Sequence, residues 1–119
     1  MYSVTYDPEA GIIRMAVSGF WEVGMVDDLA AELKPALALA RASCGQVLVL
    51  SDARDFPVQS AEVGMAFGKL EMETGPLRDR MAMVVGSTLA KMQGQRAVAG
   101  SVTAFFTSVD EAEAWLAEG

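Results

Sequence analysis

A chain of 119 residues, 52% hydrophobic and 21% charged, is long enough to bury about two-thirds of its unfolded surface around one core, which excludes a disordered tail or linker. Sixteen acidic residues against nine basic ones give a net charge of −7, so nucleic acid and anionic membrane surfaces are disfavoured as partners. The single cysteine, Cys44, excludes an internal disulfide, and the lack of histidine removes the usual zinc ligand and the usual general base near neutral pH.

These absences predict a chain that is not an enzyme and that carries no cofactor and no metal. No apolar run approaches the roughly 20 residues needed to cross a bilayer, and Met1 to Val4 lacks the residue order of a signal peptide, so a cytoplasmic domain spanning 1–119 without an integral membrane segment is expected.

Tyr2 to Tyr6 alternates large and small polar residues as an edge strand does, Asp7 to Gly11 is a turn by its Pro and Gly content, and Ile12 to Ser18 returns as a second strand. Gly19-Phe20-Trp21-Glu22 breaks that pattern. Phe20 and Trp21 are a candidate ligand-facing pair, although an aromatic anchor under the next helix explains them as well. Met25, Val26, Leu29, Leu33, Leu37 and Ala40 then recur at helical spacing across Gly24 to Ala42, with Pro35 expected to kink or divide the helix.

Val47 to Leu50 is short, apolar and β-branched, the signature of a central strand covered on both faces. Asp52, Arg54 and Asp55 follow where that strand is expected to emerge, and the carboxyl ends of central strands are where open α/β sheets commonly meet ligands. Ser60 is placed to cap a helix running to about Thr74, closed by Gly75-Pro76. Val63, Ala66, Phe67 and Leu70 form its inner face. Gly64 and Gly68 each cost about 1 kcal/mol of helix propensity, which predicts close approach to the sheet or to a partner there.

Arg80 to Val85 reads as a fourth strand. Gly86-Ser87-Thr88 opens a helix over Leu89 to Ala99 and is either a candidate anion site on free backbone donors or an ordinary cap. Val102 to Thr107 is a fifth strand, and Ser108 followed three residues later by Glu111 is a capping box that starts a terminal helix. The order β-β-α-β-α-β-α-β-α predicts an α/β fold: a mixed, largely parallel five-stranded sheet with an N-terminal β-hairpin and about four helices.

The stretch Leu48 to Pro57, LVLSDARDFP, resembles the third strand of a response-regulator receiver domain. The fifth strand, however, ends Phe105-Phe106-Thr107-Ser108 without the lysine of that family, and the first strand leads into a hairpin. A resemblance to STAS domains covers essentially the whole chain and rests on element order, size, the strand VLVLSDARDF and the helix after Ser60. The chain looks most like the stand-alone SpoIIAA-like proteins of bacteria, which also resemble lipid-transfer CRAL-TRIO domains. Phosphate-regulated members carry Asp-Ser-Ser-Gly at the start of the second helix; here Val58-Gln59-Ser60-Ala61 occupies that place and keeps only Ser60.

The resemblance implies a non-enzymatic regulatory or protein-interaction module, phospho-switched at Ser60. Its partner surface would comprise Asp52, Arg54, Asp55, Ser60, Gly64, Met65 and Gly68. A partner with a basic face, or a second copy in a homodimer, suits the charge and the exposed edge strand. The alternative is a small-molecule or lipid-binding domain with an apolar pocket between helices and sheet, motivated by eight methionines, by Phe20-Trp21 and by the likeness to lipid-transfer domains.

Overall fold

A computed structural model describes residues 1–97 and 102–118, with backbone alone for 93–97. The strands are β1 (Tyr2–Asp7), β2 (Ile12–Ser18), β3 (Leu48–Asp55), β4 (Arg80–Val84) and β5 (Thr103–Phe106). The helices are α1 (Val23–Cys44), α2 (Ala61–Thr74), α3 (Thr88–Ala97) and α4 (Val109–Ala117), with a 3₁₀ turn at Gly75–Leu77. This is the expected order. Residues 98 and 99 of the helix expected over Leu89 to Ala99 lie outside the described residues.

The five strands form one sheet in the order β1-β2-β3-β4-β5, with β1 antiparallel to β2 and every other neighbouring pair parallel. The hairpin turn is fixed by Asp7, whose Oδ1 accepts from the backbone N–H groups of Glu9 (3.1 Å) and Ala10 (3.2 Å). Gly11, at φ 69°, closes it in the left-handed region that glycine enters freely.

Pro35 does not divide α1, which runs unbroken through 22 residues with Pro35 on its exposed side. The buried stripe is Val26, Leu29, Leu33, Leu37 and Ala40, as the periodicity predicts. Asp27 and Asp28 fall beyond the first turn. Gly45, at φ 69°, ends the helix by donating to Arg41 O. Cys44 is exposed and lies beside Tyr6, with Sγ 2.8 Å from the phenol oxygen.

β3 is longer than its apolar run. It continues through Asp52, Arg54 and Asp55 because β2 and β4 go on pairing with it: Ala16 and Val84 lie opposite Asp52, and Ser18 lies opposite Asp55. The acidic and basic residues expected just past the strand are therefore its last residues.

Side chains alternate across the sheet. Ile12, Leu48, Leu50, Ala82 and Val84 point to one face and pack with Ala112 and Leu116 of α4. Ile13, Val49 and Met81 point to the other, where Leu33, Leu37 and Ala40 of α1 cover them. Further along that second face, Val17, Trp21, Val26, Leu29, Val63 and Leu70 join α1 to α2. The backbone of α1 lies close to β1, and that of α4 close to β4, whereas no strand approaches the backbone of α2 as closely.

Candidate functional site

The β3 to α2 segment is the first place to look. Asp52 and Arg54 sit two residues apart on one face of β3, so their side chains meet. Arg54 donates to Asp52 from Nε (2.9 Å), Nη2 (2.7 Å) and its own backbone N–H (3.2 Å). These bonds hold the Asp52 carboxyl below its usual range, led by the guanidinium hydrogen bonds. The pair borders an open depression with Ser3, Thr5, Arg14 and Val109, the first residue of α4. Asp55 is exposed, and its backbone carbonyl accepts from Gly19 N (3.1 Å).

Ser60 caps α2, its Oγ accepting from Val63 N at 3.3 Å, and it remains exposed. The loop before it is held by Gln59, a residue the sequence did not single out. Gln59 accepts from Trp21 N (2.8 Å) and donates to the carbonyls of Gly19 (2.9 Å) and Pro57 (2.8 Å). One amide thus ties the strand-to-helix connections at Gly19 to Trp21 and at Phe56 to Ser60 to each other.

The Phe20-Trp21 pair separates. Phe20 is 79% exposed, while Trp21 is 6% exposed and donates from Nε1 to Ser18 O (2.9 Å). Its ring packs against Phe67 and Phe56 at centroid distances of 5.2 and 5.7 Å, and against Tyr2. Trp21 is therefore an anchor within the aromatic cluster, and only Phe20 faces solvent.

Gly64 and Gly68 are not close-approach points within the chain. A Cβ on either would meet no atom within 4 Å, and both lie on the outer side of α2 with Met65 and Met72. Gly86 is the glycine that a close approach requires: a Cβ there would lie 2.8 Å from the carbonyl oxygen of Arg54. Beside it, Ser87 caps α3 by accepting from Ala90 N (3.1 Å), and Lys91 N donates to its carbonyl. Of the candidate anion site Gly86, Ser87 and Thr88, the first therefore has a packing duty and the second a capping one.

The most developed site lies under α2. A cavity of about 260 Å³ separates α1 and α2 from the sheet. Leu29, Leu33 and Leu37 wall it from α1; Phe67 and Leu70 wall it from α2; Met15, Val49, Met81 and Met83 form its floor. The cause is local. Where α2 passes over β3, the strand presents Ser51 and Ala53, and residues this small cannot fill the space beneath a helix that stands off from the strands.

Ser51 is 1% exposed, and its Oγ is, among the described residues, a buried side-chain polar atom with no hydrogen-bond partner. A buried hydroxyl left unpaired costs about 1–3 kcal/mol. Thr74, also on the wall, is satisfied, donating to Leu70 O at 2.8 Å. At one end of the cavity Arg78, whose side chain is 7% exposed, pairs with Glu71. The cavity is therefore apolar, with one unpaired hydroxyl within and, at its edge, one ion pair whose guanidinium is buried and whose carboxylate is partly exposed. An apolar pocket between helices and sheet was the alternative the sequence offered, and neither Ser51 nor Arg78 stood out for it.

No family model matches the sequence, and no curated protein does. Among solved structures, the chain is similar to a protein of the DUF3478 family with a SpoIIAA-like fold from Shewanella loihica PV-4. The two share 18% identity with a TM-score of 0.74, over 98% of this chain and 92% of that one. At that identity the likeness is one of architecture, and it agrees with the strand order and helix placement described above: the chain has the SpoIIAA-like fold.

Proposed function

We propose that the chain is a non-catalytic binding module that holds a small, mainly apolar molecule in the cavity beneath α2. The observation that carries this reading is the unpartnered Ser51 hydroxyl facing an apolar space of about 260 Å³. Water is a poor occupant, since it needs two or more polar partners and finds few here. A ligand bearing one hydrogen-bonding atom satisfies Ser51 and fills the void together. Met15, Met81 and Met83 suit such a role because their unbranched side chains repack around differing shapes.

Native mass spectrometry of the protein purified from its own host, followed by denaturation, tests the proposal. A non-covalent mass that is lost on denaturation, and is absent from a folded Ser51→Leu variant, supports it. The same mass on Ser51→Leu places the ligand elsewhere and overturns it.

A second reading, that of a STAS-like regulatory module with a protein partner, is favoured by the outer side of α2. Val58, Met65 and Met72 are 93%, 77% and 80% exposed, and Gly64 and Gly68 leave the backbone between them bare. Such a surface suits a partner helix with basic flanks, given the net charge of −7, or a second copy of the chain. Phosphate on Ser60 would add about two negative charges at the start of that surface. Partners captured by the wild-type protein but lost with Met65→Arg and altered with Ser60→Glu support this reading. An unchanged set of partners with both variants removes it.

A further inference from the structure

We propose, resting on the cavity reading above, that the ligand is a small acid whose carboxylate replaces Glu71 on Arg78. The two members of that ion pair are unequally placed. The Arg78 side chain is 7% exposed and lines the cavity, so its guanidinium is largely removed from water and requires an anion beside it. Glu71 is 43% exposed on the rim of α2 and returns to water at little cost. Among the described residues, the Arg78 guanidinium has besides Glu71 only a long contact of 3.5 Å to Thr103 Oγ1. The cation is thus fixed and its anion exchangeable. One carboxylate taking the place of another leaves the local charge unchanged.

The dimensions limit what such an acid can be. An apolar cavity of about 150 Å³ holds benzene, so about 260 Å³ corresponds to a body of about ten carbon atoms. Ser51 and Arg78 are separated along the floor by Met81 and Met83, since Ser51 lies opposite Met83 in the sheet and Arg78 precedes β4. An acid that satisfies both therefore carries a hydroxyl or carbonyl oxygen within its apolar body, away from its carboxylate. A medium-chain hydroxy or oxo acid has this pattern.

Calorimetric titration with monomeric decanoate and decanol tests the carboxylate. Decanoate is expected to bind the purified protein more tightly than decanol. Arg78→Gln should weaken decanoate roughly tenfold or more, the usual loss for a hydrogen bond to a charged group. Glu71→Gln should tighten decanoate several-fold by removing the competing anion, and neither substitution should change decanol.

These opposite responses keep the test sound if Arg78→Gln fails to fold, because Glu71→Gln retains the buried cation. Equal binding of both probes, insensitive to Glu71→Gln, overturns the acid and leaves the cavity reading standing. Binding of neither probe overturns both.

Discussion

The two faces of the sheet use the same strands to opposite ends. On the α4 face, Leu48 and Leu50 of β3 meet Ile12, Ala82 and Val84 beside them and Ala112 and Leu116 above. Arg80 closes the end of that layer: its guanidinium carbon lies 3.9 Å from the Trp115 ring centroid, and its Nη2 donates to Trp115 O at 2.7 Å. On the α2 face, the alternate residues of β3 run Val49, Ser51, Ala53, shrinking as the helix above them stands off, and they leave about 260 Å³ unfilled. One face is built for stability. The other leaves a void and an unpaired hydroxyl, at the sacrifice of packing that larger residues would have supplied.

Truncation breaks this comparison most forcefully. Leu116 is 1% exposed in the filled layer, and Leu116→Ala is expected to cost about 4 kcal/mol, near the upper end for such changes. Leu70 is almost as buried at 7% exposed but already borders the void; Leu70→Ala should cost about 2 kcal/mol, because fewer contacts are lost. Urea unfolding of ligand-free protein measures both. Equal costs would mean that the α2 face is as well packed as the other in solution.

Ser51→Val sharpens the same comparison with a smaller effect of opposite sign. Removing the unpaired hydroxyl and adding a methyl to the void should stabilise the ligand-free protein by about 1–2 kcal/mol. A rise in the thermal midpoint checks it. Loss of stability would mean that Ser51 has a partner in solution.

The helix faces that cover both sides of the sheet were legible in the sequence, and the void left on one side was not. The 3.6-residue spacing in α1 and α4 identifies their buried residues without tertiary information. β3 ends beyond its apolar run because β2 pairs with it as far as Asp55 and β4 as far as Asp52, which the composition of the run does not encode. Serine at position 51 looks like ordinary strand-end polarity. Its meaning depends on how far α2 stands from the sheet, which no local pattern encodes. Arg78 likewise depends on the 3₁₀ turn that folds it back towards Glu71, seven residues earlier. Gly64 and Gly68 did carry a usable signal: with Ala61, Met65 and Met72 they lie opposite Val63, Phe67 and Leu70, which marks them as outward-facing.

The smallest expected effect concerns the place where the filled face meets solvent. Asp52 and Arg54 continue the side of β3 that carries Leu48 and Leu50, and the Asp52 carboxyl is held below its usual range by Arg54. A carboxyl whose folded value is depressed stabilises the fold at pH values above its unfolded value, near 4, and loses that contribution as the pH falls through the folded value. The side chains of Arg54 and Asp52 are 49% and 29% exposed, so water and salt screen the pair and its contribution is small. Wild-type protein should therefore be slightly more stable than Asp52→Asn at pH 7, with the difference vanishing in strong acid and shrinking at high salt. Comparing urea midpoints of the two proteins against pH cancels the contributions common to both. Ligand binding under α2 should be unaffected, because the pair lies on the other side of the sheet. A difference that persists in strong acid would assign the role of Asp52 to shape instead of charge.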